Sequence, residues 1–107
     1  MTKKVEVYGR VQGVFFRDNV KKYCDKNGIK GEITNRGDGS VLIIAQCSKD
    51  KLIKLKNWIR ESPGVSKVER VDESDDEGGK VYDDFKIVIL GSYLADKGKA
   101  LKNLLKR

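Results

Sequence analysis

A chain of 107 residues makes one domain with a single modest core and leaves no room for a second catalytic module. It holds no histidine, which removes imidazole general bases and phosphohistidine intermediates, and its two cysteines, Cys24 and Cys47, are unclustered, which argues against a zinc site. With 23 lysines and arginines against 16 acids, the formal charge of +7 admits anionic ligands from phosphate to nucleic acid and ranks none of them.

Near the start, Val5, Val7 and Gly9 alternate with Lys4, Glu6 and Tyr8, the period of a strand. Met1-Thr2-Lys3-Lys4 runs straight into it without an apolar signal segment, and no apolar run approaches the roughly 20 residues of a spanning helix. The expectation is a cytoplasmic protein without membrane contact, its thiols reduced. A helix over residues 17–27 follows, with Phe16, Val20, Tyr23 and Cys24 on one face and Gly28 as C-cap. A strand over 30–34, the turn Asn35-Arg36-Gly37-Asp38-Gly39 and a strand over 40–47 form a hairpin, signalled by the Asp-Gly pair. Ser48 is the N-cap of a second helix to about residue 61, which buries Leu52, Leu55, Trp58 and Ile59 and is stopped by Pro63-Gly64. Strands over 65–71 and 84–90 come next. Between them Asp72, Glu73, Asp75, Asp76 and Glu77 lead to Gly78-Gly79, by composition a solvated mobile loop. The order is β-α-β-β-α-β with one added strand. It predicts an α+β, ferredoxin-like split βαβ sandwich with two helices on one face of an antiparallel sheet.

Residues 1–91 make up that domain, and residues 92–107 are a basic extension. Leu94, Leu101, Leu104 and Leu105 fall near one helical face, with Lys97, Lys99, Lys102, Lys106 and Arg107 around them. The runs Val41-Leu42-Ile43-Ile44-Ala45 and Ile87-Val88-Ile89-Leu90 have the pattern of strands covered on both faces. An extra helix over 93–106 is therefore expected across the helix-free face, over Leu42, Ile44, Val88 and Leu90, in a monomer. A dimer contact through the same leucines and a basic helix on an anionic surface are the competing readings.

The stretch Gly9-Arg10-Val11-Gln12-Gly13-Val14-Phe15-Phe16-Arg17 carries the chemistry. A loop that opens a helix presents unpaired backbone N–H groups, the helix dipole favours negative charge, and Arg17 adds a planar fork of donors suited to two phosphate oxygens. Its glycine spacing matches neither the dinucleotide fingerprint nor the lysine-bearing nucleotide loop. Arg17 as an ordinary surface arginine is disfavoured, because a cation at a helix N-terminus is electrostatically unfavourable without an anion to bind.

Residues 5–17 resemble the signature of the acylphosphatase family. The run Gly28-Ile29-Lys30-Gly31 with Asn35-Arg36-Gly37-Asp38-Gly39-Ser40-Val41 is similar to that family's second motif, at the matching distance. The resemblance covers roughly residues 4–90. It implies hydrolysis of acyl phosphates to a carboxylate and inorganic phosphate, without cofactor or metal. Arg17 and the loop Gln12, Gly13, Val14, Phe15 and Phe16 would hold the phosphoryl group, and Asn35 would position the attacking water. The family often has arginine before that asparagine and tryptophan nearby, whereas this chain reads Glu32-Ile33-Thr34-Asn35. The departure touches the water site and not the phosphate cradle.

The reaction suits a chain without histidine. The leaving carboxylate has a conjugate acid of pKa about 4 and needs no protonation. What remains is to hold the phosphoryl group, offset its charge and place a water in line. Other readings are local. Asn35 and Asp38 are common turn residues, Phe16 fits the helix core while Phe15 belongs to the loop surface, and Cys24 and Cys47 are small core residues. From another class, the fold and charge also fit an RNA-binding or phosphate-sensing module. A sheet that reads RNA displays two or three stacking aromatics, however, and here the first strand offers only Tyr8 and residues 41–47 none, so no nucleic-acid partner is expected.

Overall fold

A computed structural model describes residues 1–89; the expected helix over 93–106 and the position of Leu90 lie outside them. Five strands and two helices follow one another as β1 (Thr2–Arg10), α1 (Phe16–Asn27), β2 (Lys30–Asn35), β3 (Val41–Gln46), α2 (Lys49–Arg60), β4 (Lys67–Asp75) and β5 (Phe85–Val88). The sheet order is β4-β1-β3-β2-β5, the ferredoxin-like α+β arrangement with two helices.

Alternation along the strands builds the core. Val5 stands beside Ile43 and Val7 beside Val41, with Ile33 next to Ile43 on β2, so one sheet face is continuously apolar. Phe16, Val20 and Cys24 of α1 and Leu52, Leu55 and Ile59 of α2 close over it, all buried. Each such side chain contributes about 1.5–3 kcal/mol. Gly28 ends α1 in the left-handed conformation as its spacing predicts, its N–H donating to Cys24 O. Gly9 sits at a β-bulge between β1 and β4 with φ +129°, where a Cβ would overlap the Lys67 carbonyl oxygen.

Two expectations are corrected. β4 extends to Asp75 and takes in Asp72, Glu73 and Ser74, which composition assigns to a mobile loop. The acids of this edge strand alternate between its faces and are paired: on the helix side Glu73 meets Lys56 at 2.7 Å and Asp75 meets Lys3, and on the other Asp72 meets Arg70, so the carboxylates are compatible with pairing to β1. The sheet is also mixed and not antiparallel throughout, since β5 lies parallel to β2. The chain reaches β5 by passing over the helix-free face. Gln46 Nε2 donates to Lys80 O (3.0 Å), Tyr82 N donates to Gln46 Oε1 (3.1 Å) and the Tyr82 hydroxyl donates to Glu32 Oε1 (2.8 Å).

The mixed topology positions the site. β1 and β2 both run antiparallel to β3, and β5 runs parallel to β2, so β1, β2 and β5 end at one edge of the sheet. α1 starts at that same edge.

Candidate active site

Residues 11–15 leave β1 at this edge and turn back into α1. Val11 and Val14 are buried and anchor the loop, which leaves Gly13 at its exposed crest with φ +72°. Phe15 is left-handed (φ 59°, ψ 20°) and 76% exposed, an unfavourable conformation for a bulky residue with no burial to offset it. It occupies the N-cap of α1 and makes no side-chain cap. The first N–H groups of the helix therefore have neither an intrahelical partner nor a capping oxygen. Arg17, half-buried, lies in that uncapped turn.

Arg17, Gly13, Phe15 and Phe16 line one cavity of about 510 Å³ with Val11, Asp18, Ile87 and Ile89. Of the residues assigned to the phosphate loop, Val14 is turned into the core and Phe16 contributes a ring that is 1% exposed. Gln12 faces the other way. Its Nε2 donates to the carbonyl oxygens of Arg36 and Ser40, both at 2.8 Å, and ties the loop to the β2–β3 turn. Any part it plays in phosphate binding is left to its backbone.

Asn35 ends β2 opposite Val41 and shares the helix-side face with Ile33. With Glu32, Thr34, Arg36, Gly37, Leu42 and Val88 it borders a concavity whose strand residues face the helix-free side, and it does not line the cavity of Arg17. The link to the Arg17 cavity runs on the helix side: Ile87, a wall of that cavity, pairs with Ile33 on β2 and so shares a face with Asn35, two residues further along β2. Asn35 Oδ1 is buried and has no hydrogen-bond partner among the described residues. A buried carbonyl oxygen left unpaired is costly, so this one is suited to accept a hydrogen bond from a water or ligand.

The turn after Asn35 is tightly organised. Arg36 N donates to Ser40 O (2.9 Å), and the Ser40 amide and hydroxyl both donate to Asp38 Oδ1. The Ser40 hydroxyl and amide hold the Asp38 carboxyl below the usual carboxylate range, so Asp38 is a turn residue and a poor base. Across the sheet, Arg36 Nη2 meets Glu6 Oε2 at 2.6 Å and donates to the Tyr8 hydroxyl at 3.2 Å, while its Nε donates to Ser40 Oγ at 2.9 Å. The Arg36 hydrogen bond, followed by that of Tyr8, keeps the Glu6 carboxyl below its ordinary range. Sequence reasoning passed over Glu6, Tyr8 and Arg36, and the cavity walls Ile87 and Ile89. The available signal was an arginine directly after Asn35, with an acid and a tyrosine two apart on β1.

Elsewhere, burial raises the Cys24 thiol far above its ordinary range, which leaves it unreactive. No group of three histidine, cysteine or acidic side chains among the described residues could hold a metal ion. No helix among them is long and apolar enough to cross a membrane.

Comparison with known proteins supplies the context for this edge. The family model described as acylphosphatase matches residues 3–87. An acylphosphatase of Thiobacillus denitrificans is 38% identical over 77 residues, 72% of this chain and 86% of that protein. One of Pyrobaculum aerophilum is 36% identical over 85 residues, 78% of this chain and 90% of that protein. The crystal structure of acylphosphatase from Bacillus subtilis superposes with a TM-score of 0.75 at 31% identity, covering 81% of this chain and 97% of that one.

Proposed function

Since the chain belongs to the acylphosphatase family, a family of enzymes, we propose that it hydrolyses acyl phosphates at the edge where β1, β2 and β5 end. The phosphoryl group sits against the free N–H groups of the loop and of the first turn of α1, and Arg17 offers two donors to its equatorial oxygens. Asn35 holds a water in line with the bond to be broken. The water oxygen bonds to phosphorus as the bond to the acyl oxygen breaks, and the electron pair leaves on the carboxylate. No acid need protonate it, because its conjugate acid has a pKa of only about 4. The water's proton passes to the substrate's own phosphate oxygens, consistent with a chain that has no histidine and an Asp38 engaged by Ser40. Catalysis is then positioning and electrostatic stabilisation.

The observation that carries this reading is the unpaired, buried Asn35 Oδ1 at the same sheet edge as an uncapped helix start. Either feature alone would be a local peculiarity. An RNA-binding sheet is less well supported. The Tyr8 ring is already covered by the Arg70 guanidinium at 4.1 Å, and its hydroxyl is held by Arg36 and Glu6.

Hydrolysis of benzoyl phosphate with metal chelated throughout tests the proposal. The native chain is expected to release phosphate, and Arg17→Ala and Asn35→Ala to lose most of that activity while remaining folded. Full activity in both variants refutes the residue roles. Phosphate binding without turnover by the native chain refutes the enzyme reading in favour of a sensing module.

A further inference from the structure

We propose that Arg36, clamped by Glu6 and Tyr8 on the helix-free face of the sheet, is a positioning residue that aims the Asn35 side chain on the other face. The inference rests on the hydrolytic reading above, since it assigns a means by which the water-holding amide is kept in place. Neighbouring strand residues point to opposite faces, so Asn35 faces the helices and Arg36 the open side. Asn35 and Val41 form the last pair of the ladder, at the mouth of the turn. Beyond that rung the hairpin closes through Arg36 N donating to Ser40 O (2.9 Å) and Gly39 N donating to Arg36 O (3.2 Å), which fix the main chain but do not touch the Asn35 side chain. The Asn35 amide oxygen cannot fix itself, having no partner among the described residues.

Arg36 supplies the hold from three sides. Its guanidinium meets Glu6 at 2.6 Å and Tyr8 at 3.2 Å, and the Tyr8 hydroxyl in turn donates to Glu6 Oε2 at 3.2 Å, which closes a triangle on β1. Its Nε donates to Ser40 and locks the turn. Its carbonyl oxygen accepts from Gln12 at 2.8 Å, which joins the same peptide to the phosphate loop. One residue thus couples the water site to the phosphate site through the sheet. An ion pair with side chains a quarter to a third exposed (30% and 25%) adds little to global stability, so the clamp's main effect is on geometry.

The test uses the full chain and reads kcat and KM for benzoyl phosphate, affinity for inorganic phosphate, thermal unfolding, and the Asn35 side-chain NH2 resonances, identified by their loss in Asn35→Ala. Arg36→Met is expected to lower kcat roughly tenfold to a hundredfold, the scale on which small misplacements act, with KM and phosphate affinity within about twofold. The Asn35 resonances should shift or broaden. Glu6→Gln should give a smaller loss of the same kind, and the exchange of Glu6→Arg with Arg36→Glu should restore much of it. Lys56→Met is the control, because Lys56 pairs with Glu73 at 2.7 Å on the helix side, away from Tyr8 and Arg36; it should leave kcat, KM and the Asn35 resonances unchanged. Unchanged kcat and unchanged Asn35 resonances in folded Arg36→Met and Glu6→Gln would overturn the proposal. So would an equal loss in Lys56→Met, or a loss expressed in KM and phosphate affinity alone. Absence of turnover by the native chain counts against the hydrolytic reading instead, and the Asn35 resonances still decide the clamp.

Discussion

The two helices have the same length and lie on the same face of the sheet, yet their starts are built on opposite principles. α2 begins with Ser48 in an extended conformation, its hydroxyl accepting from Lys51 N at 3.3 Å, and Asp50 places negative charge in the first turn. α1 begins with a left-handed phenylalanine that caps nothing; its first turn carries an acid, Asp18, as that of α2 does, so the two starts differ in the cap. The first arrangement satisfies the helix from within. Under the proposed function the second is satisfied by an anion from outside, at some cost to stability, and the contrast between the two starts is then one between a structural and a functional helix.

The largest effect should come from Arg17→Ala. Transition-state donors of this kind are typically worth roughly 10³-fold in kcat/KM, measured with benzoyl phosphate. Thermal stability should hold or rise slightly, since a cation is removed from a helix start. Phe15→Asp would turn the start of α1 toward that of α2. It relieves the aromatic left-handed residue and offers a carboxylate to the free N–H groups, so stability should rise by about 1 kcal/mol in denaturant unfolding. Affinity for inorganic phosphate should fall at least about tenfold, because the carboxylate competes for the same donors. The converse change, Ser48→Ala, should cost about 1 kcal/mol and leave hydrolysis untouched. If Ser48→Ala weakened phosphate affinity as Phe15→Asp is expected to, the contrast between the helices would fail.

The smallest effect concerns pH. Hydrogen bonds from Arg36, Ser40 and Lys56, respectively, hold the Glu6, Asp38 and Glu73 carboxyls below their ordinary range. A carboxyl lowered in the folded state stabilises above its unfolded pKa near 4, and that contribution is lost as pH falls through the folded value. Tm should therefore be flat between about pH 5 and 8 and decline below about 4.

Much of this was readable in the sequence because it is local. Helix faces, the Gly28 cap, the Ser48 cap and the Asp-Gly turn each depend on residues a few positions apart, and the loop and hairpin motifs carried the family. What was not readable depends on pairing across the chain. The acids of β4 look like loop until Lys3 and Lys56 are placed beside them. The parallel course of β5 depends on how the chain returns across the sheet, which no local pattern encodes. Phe15 was expected at the loop surface, and it is there, but its left-handed backbone is invisible to composition. Asn35 was singled out, whereas the orphaned state of its Oδ1 and the clamp on its neighbour emerge only when β1 is laid against the turn.

The cavity beside Arg17 draws its far wall from Ile87 and Ile89, seventy residues beyond the loop that names the protein's chemistry. During synthesis both signature motifs leave the ribosome well before that wall exists. Long-range strand pairing is also slow to form compared with helices and hairpins. The chain thus carries its motifs early and its pocket late, so turnover serves as a gauge of completed folding, sensitive to the final strand in a way that helix content is not.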